Sequence, residues 1–286
     1  LVAEVAKQLF GLFDPLRLLL RAYHRQQAIH LTGGRQPVEP GRDPLRLVEG
    51  GQHAGHRPIH LSGGQRLRLG IARDSAFGFY YPGDLEALRA AGAQLVPFDA
   101  LRDKRLPPVD ALFIGGGFPE THMDALAANA ALRAEVREAI EGGLPAYAEC
   151  GGLMYLARSI EWNGRRAEMA GVLPADIVMH ARPVGRGYVH LRETGNGLWP
   201  ARRGLILAHE FHYSSVENLA PGARFAYAVE RGHGIDGRHD GLVHKNLLAS
   251  YAHLRDVADH RWAQRFVEFA RRCVSQRTAT AETHAG

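Results

Sequence analysis

The sequence predicts an α/β fold, a mostly parallel sheet flanked by helices with extra short antiparallel strands toward the C-terminus. Three observations carry this expectation. Between Arg66 and Cys150, strand-like and helix-like stretches alternate, the order expected of parallel strands joined by helical crossovers. Two apolar stretches, "DALFIGGG" and "LPAYAEC", stop at glycines or just before them, as strands do where they hand the chain to a ligand-binding turn. Residues 168 to 251 break into short runs separated by turn signals, as antiparallel strands do.

From the N-terminus, residues 4 to 23 space Val5, Leu9, Leu12, Leu16, Leu19 and Leu20 as a helix, with Pro15 opening a second segment. Residues 32 to 64 are dense in Gly, Pro, His and Arg and read as a linker. "RLRLGIA" (66–72) alternates and then turns apolar, giving the first strand. "DLEALRAAGA" (84–93) is an amphipathic helix closed by Gly92, and "QLVPF" (94–98) is the second strand. "DALFIGGG" (110–117) is the third strand, "HMDALAANAALRAEVREAIEGG" (122–143) one long helix, and "LPAYAEC" (144–150) the fourth strand. "GLMYLARSI" (152–160) restarts as helix, and turns follow at Gly185, Gly195 to Gly197 and Pro221-Gly222. A last helix over 258–272 puts Trp262, Phe266 and Phe269 on one side, a core stripe. The expected organisation is 1–66, 67–273 and a disordered tail over 274–286.

Composition excludes several classes. The 286 residues are 45% hydrophobic and 23% charged, ordinary for a globular protein. No apolar run approaches the roughly 18–20 residues that span a bilayer, and no signal peptide opens the chain, so a cytoplasmic protein without a membrane role is expected. Cys150 and Cys273 then default to free thiols. The net charge of +5 comes from arginines spread along the chain rather than clustered with aromatics, which argues against nucleic-acid binding. "LSGGQ" (61–65) matches the signature of ABC-type ATPases, but that loop acts opposite a P-loop lysine. None of Lys7, Lys104 and Lys245 follows a glycine, and the residues after Gln65 read as strand.

The chemistry concentrates in "PAYAECGGLMYL" (145–156). An apolar strand runs into Cys150, two glycines follow and a helix restarts, the layout of a nucleophile elbow. Such a turn lifts the side chain out of the sheet, sets the Gly151 amide toward a developing oxyanion, and backs the sulfur with a helix start. "DALFIGGGFPE" (110–120) offers Gly116 and Gly117 as the other half of an oxyanion hole. A cysteine nucleophile needs a base. Among sixteen histidines, His209 and His212 in "AHEFHYS" and His253 in "KNLLASYAHLRD" stand out, and spacing alone does not choose among them. His209 and His212 are three apart where a zinc helix has four, so no metal site is expected.

Five ordered blocks, "GIARDSAFGFYYPGDLEALRAAGAQLVPF", "FIGGGFPETH", "AYAECGGLMYL", "HEFHYS" and "NLLASYAHL", resemble the glutamine amidotransferase domain of cobyrinic acid a,c-diamide synthases over about residues 67 to 272. The resemblance implies a class I glutamine amidotransferase-like, flavodoxin-like fold. It also implies that Cys150 attacks the side-chain amide of glutamine, with His253 raising its nucleophilicity, to supply ammonia for amidating tetrapyrrole carboxylates in cobalamin biosynthesis. Class I glutaminases carry a glutamate two residues after the catalytic histidine, where this chain has Arg255, so the site resembles a Cys-His dyad with no identified orienting acid. Family members begin with an ATP-binding amidoligase domain, of which residues 1–66 look like a remnant plus linker. ATP and Mg²⁺ belong to that domain; this chain carries no cofactor of its own and is expected to act as a glutaminase. Its implied partners are glutamine, a tetrapyrrole and the amidoligase domain, and a homodimer is compatible with the sequence. "MHARPVGRGYVHLRETGNGLWP" looks closer to a branch that amidates sirohaem, with Arg182 and Arg186 as candidate contacts to tetrapyrrole carboxylates. The alternative of another class is a catalytically silent domain that docks onto a separate ligase protein.

Overall fold

A computed structural model describes residues 66–202, 204–257 and 260–285. The helix expected over 4–23, the linker over 32–64 and "LSGGQ" lie outside the described residues, and the 66/67 division falls at their edge.

Strands β1 (Leu67–Ala72), β2 (Phe77–Phe79), β3 (Ala93–Phe98), β4 (Ala111–Ile114), β5 (Gly116–Gly117) and β6 (Ala146–Glu149) alternate with helices α1 (Pro82–Ala90), α2 (Met123–Ala128) and α3 (Ala130–Glu141). Helix α4 (Gly151–Leu156) follows β6 directly. Then come β7 (Ser159–Trp162), β8 (Arg165–Glu168), β9 (Asp176–Met179), β10 (Gly185–Glu193), β11 (Ile206–His212), β12 (Ser214–Glu217), β13 (Arg224–Arg231), β14 (His239–His244), β15 (Leu247–Ser250) and α5 (Trp262–Ala285). Among the described residues, a nine-stranded sheet runs β11-β10-β13-β14-β15-β6-β4-β1-β3. Its pairs from β3 through β15 are parallel, and those from β15 to β11 are antiparallel. The antiparallel strands therefore extend the same sheet rather than decorating it. A second sheet, β12-β9-β7-β8, buries Ile160, Ala167 and Ile177 in a core shared with Leu112 and Ile114 of the first. Among the described residues no helix is long and apolar enough to cross a membrane.

The inner parallel strands β1, β4, β6 and β15 are buried on both faces, which explains their near-continuous apolar character. Period-two alternation divides each of them between two cores. Leu112, Ile114, Ala146, Ala148, Leu247 and Ala249 face one core with Leu126, Leu132, Val136 and Ile140 from α2 and α3. Leu69, Ile71, Phe113, Tyr147 and Leu248 face the other with Leu88 from α1 and Trp262 and Phe266 from α5. Each large side chain so buried contributes about 1.5–3 kcal/mol. Pro97, which lacks an amide donor, is tolerated because β3 lies at the sheet edge.

Several expectations change. The single helix over 122–143 is two, because buried Asn129 breaks the run and donates its side-chain amide to the carbonyls of Ala100 and Asp103 at 3.0 and 2.8 Å. The helix after Cys150 ends at Leu156, since Ser159 to Trp162 pair with β8 and β9. Gly185 opens β10 rather than forming a turn, and it is small because a Cβ there would stand 2.2 Å from His212 Nε2. The last helix starts at Trp262, with residues 258 and 259 outside the described set, and it continues to Ala285 through the segment expected to be a disordered tail. No proline interrupts that segment, and its Ala, Glu and Gln residues suit a helix.

Candidate active site

Strand β6 carries the chain to Cys150, whose backbone sits at φ 47° and ψ −100°. Positive φ at a non-glycine residue costs about 1–3 kcal/mol and persists only where the surroundings enforce it. Here they do so from three sides. The Cys150 amide donates to the Ser250 carbonyl at 2.7 Å, tying the turn to β15. Gly152 lies so close to β4 that a Cβ would stand 2.0 Å from the Ile114 carbonyl oxygen. A Cβ on Gly151 would be 2.8 Å from the Gly117 nitrogen, and one on Gly117 would be 1.8 Å from the Ala76 carbonyl oxygen. The glycines that the sequence singles out thus let two loops meet beneath the sulfur, which lies 3.9 Å from the Phe211 carbonyl oxygen.

His253 reaches the same place from the other half of the sheet. Asp240 at the start of β14 is fully buried and accepts from Ser250 Oγ at 2.9 Å, the Tyr251 amide at 3.0 Å and the Ala252 amide at 2.8 Å, so it fixes the segment leading to His253. The His253 amide donates to the His209 carbonyl at 2.8 Å. Its buried ring lies where Cys150 and Glu149 both act on it electrostatically, with Nδ1 3.5 Å from Glu149 Oε2. Burial alone would lower the imidazole pKa, but these two partners outweigh it and push it up to about 10. Gly116 lies under this ring, where a Cβ would meet His253 Cε1 at 2.7 Å.

The other two histidines have different surroundings. His209 stacks on His253 with centroids 5.0 Å apart at 13°, and its Nε2 shares a 2.7 Å hydrogen bond with the Tyr81 hydroxyl. Burial, then the positive charges of His253 and Arg255, lower its pKa to about 4, so His209 is neutral near pH 7. His212 stacks on Tyr251 at 3.8 Å and 5°, and its Nδ1 donates to the Ser214 carbonyl at 2.8 Å. Glu210 between them is buried and accepts from the His233 and Gly234 amides at 2.7 and 2.8 Å. The "HEFH" block is therefore largely architecture. Arg255, two residues past His253, lies over the Tyr81 ring at 3.7 Å, with Nε 3.7 Å from Asp84.

Cys150, Gly116, Gly117, Gly151 and His253 thus come together. Arg182 and Arg186 are exposed, Arg182 before β10 and Arg186 on it, opposite Phe211 in register. Sequence reasoning missed Glu149 and Asp240. For Glu149 a signal was present, namely a carboxylate closing an otherwise apolar strand directly before the cysteine.

In solved structures, the fold is similar to a protein from Thermoplasma acidophilum described as a GMP synthase component (TM-score 0.55, 17% identity, 77% of this chain and 100% of that one). It is also similar to a protein described as a glutamine amidotransferase (TM-score 0.51, 22% identity, 71% of this chain and 98% of that one). The fold is accordingly that of class I glutamine amidotransferases. In sequence the chain is 50% identical over 211 residues to the cobyrinate a,c-diamide synthase of Magnetococcus marinus, covering 74% of this chain and 45% of the relative. It is 45% identical over 204 residues to the enzyme of that name from Archaeoglobus fulgidus, covering 71% of this chain and 44% of the relative. The chain spans less than half the length of these relatives. Residues 68–259 match the CobB/CobQ-like glutamine amidotransferase domain, and the chain belongs to that family.

Proposed function

We propose that this chain is the glutaminase half of an ATP-dependent tetrapyrrole amidotransferase, working through Cys150 and His253. The observation that carries the reading is the juxtaposition at one strained turn: Cys150 held at φ 47°, with the buried His253 ring against Gly116 and Glu149 and acting electrostatically on Cys150. Glutamine enters with its side-chain carbonyl carbon against Cys150 Sγ. The sulfur adds to that carbon, and the oxyanion is met by backbone amides from the Gly116-Gly117 loop and Gly151. Ammonia leaves as His253 hands it a proton, leaving a γ-glutamyl thioester on Cys150. Water then attacks the thioester, His253 takes its proton, and glutamate departs as the thiol re-forms.

The ammonia would serve amidation of a carboxylate activated by ATP in another domain. Among the described residues Lys104 reaches Asn129 and Lys245 pairs with Glu141 at 2.8 Å, and the ATP step is proposed for the other domain. Cobyrinate is the substrate favoured for the whole enzyme over sirohaem, because the relatives named above carry that name. Arg182 and Arg186 are proposed as contacts for its carboxylates. Glutamate release from glutamine tests the reading: the wild-type chain and Cys273→Ala should turn over, whereas Cys150→Ser should not. Wild-type turnover by Cys150→Ser removes Cys150 as the nucleophile, and a wild-type chain that releases no glutamate leaves a docking domain as the better account.

A further inference from the structure

We propose that Glu149, the residue directly before the nucleophile, is the acid that positions His253, completing a Cys150-His253-Glu149 triad in which acid and nucleophile are adjacent in the chain. This rests on the assignment of Cys150 and His253 above. Arg255 cannot serve, since it is a cation turned toward Tyr81 and Asp84.

The geometry around Glu149 is built rather than incidental. Its carboxylate is only 3% exposed, at the end of a strand whose other residues are apolar or aromatic. An unpaired charge there is costly, so each oxygen needs a partner. Oε1 accepts from the Tyr147 hydroxyl at 2.6 Å and from the Leu254 amide at 3.0 Å, the second of these on the residue following His253. Oε2 is left facing His253 Nδ1 at 3.5 Å. The carboxylate therefore grips the histidine twice, through its neighbour's backbone and through its ring. With Nδ1 taken by Glu149, Nε2 is the nitrogen free to exchange a proton with Cys150, the division of labour of a catalytic triad. The ring is held on its flat side by His209 at 5.0 Å and on its edge by Gly116. Spacing of 3.5 Å is loose for a hydrogen bond and suits a resting site that tightens when substrate binds.

The adjacency of acid and nucleophile has a structural cause. In a strand, successive side chains point to opposite faces. Tyr147 and Glu149 share one face, and the positive-φ turn at Cys150 swings the thiol to meet a histidine that Glu149 already holds from that face.

The titratable and charged groups around His253 are Cys150, Glu149 and His209, with Tyr81, Arg255 and Asp84 behind His209. Glu149→Gln removes one negative charge from this set while keeping an acceptor for Leu254. In the full chain, kcat for glutamine hydrolysis should fall by about 10²-fold or more with KM little changed. The alkaline limb of the pH–rate profile should move from near 10 toward the ordinary imidazole value of about 6.5. Glu149→Asp should restore part of the alkaline limb. A Glu149→Gln protein with the wild-type kcat and pH profile, alongside an inactive Cys150→Ser, overturns the role of Glu149 and leaves the dyad standing. An active Cys150→Ser overturns the dyad itself. If Glu149→Gln fails to fold, Tyr147→Phe tests the same contact by freeing Oε1: a lowered kcat with a downward-shifted alkaline limb supports the proposal, and an unchanged profile refutes it.

Discussion

Gly152→Ala asks whether the turn beneath Cys150 is as tight as its geometry says. The added Cβ would lie 2.0 Å from the Ile114 carbonyl oxygen, 2.8 Å from the Ile114 carbonyl carbon and 3.1 Å from the Ile114 Cβ. The first two are backbone atoms of β4 in the middle of the sheet, so no side chain can rotate aside. Restoring a tolerable contact requires α4 and β4 to part by about 1 Å, and such overpacking costs about 1–3 kcal/mol. For a domain of this size each kcal/mol lowers Tm by about 2–4 °C. The same displacement moves Cys150, and a misplacement of about 1 Å at a reacting group can cost about 10²-fold in rate. Gly83→Ala is the matched control, because nothing lies within 4 Å of a Cβ there and its φ is not in the left-handed region. It sits in the first turn of α1, where Ala in place of Gly should stabilise by about 0.4–1 kcal/mol. Thermal melts and glutaminase rates of both variants are the assay. A Gly152→Ala protein that melts and turns over like wild type refutes the inferred backbone contact, as does a Gly83→Ala protein destabilised to the same degree.

Two further outcomes follow from the site. Asp240→Ala orphans four buried donors, Ser250 Oγ and the amides of Gly241, Tyr251 and Ala252, so urea denaturation should show a loss of at least about 3 kcal/mol. For His253, the folded pKa of about 10 lies above the ordinary imidazole value of 6.5. Its contribution to stability is therefore complete below 6.5 and is lost as pH rises through 10, so the urea midpoint should fall between neutral pH and pH 10 by more in wild type than in His253→Gln.

How much of this was legible in the sequence depends on whether a feature is local. The strands over 67–72, 111–114 and 146–149 were readable because burial on both faces leaves a largely apolar run, and the one over 93–98 because Gly92 closes the helix before it. Cys150 was readable because an elbow needs small residues immediately after the nucleophile, and Gly151 and Gly152 stand there. The break at Asn129 was not readable, since its cause is a pair of carbonyls at Ala100 and Asp103, distant in sequence. The end of α4 was hidden for a similar reason, because the pull on Ser159–Trp162 comes from β9. Choosing among His209, His212 and His253 needed the antiparallel half of the sheet, whose register brings His209 beside His253 and leaves His212 against Tyr251. The acid was obscured by its position, because Glu149 adjoins the cysteine in sequence yet meets His253 only through strand pairing between β6 and β15.

The most direct test of the central claim is covalent trapping. The full chain, treated with a glutamine-mimicking diazoketone and read by peptide mass spectrometry, should carry one adduct, on Cys150, and excess glutamine should prevent it. Cys273, buried in α5 with its thiol pKa raised by desolvation, should stay unmodified. An unlabelled Cys150, or labelling that glutamine does not compete away, would contradict the account.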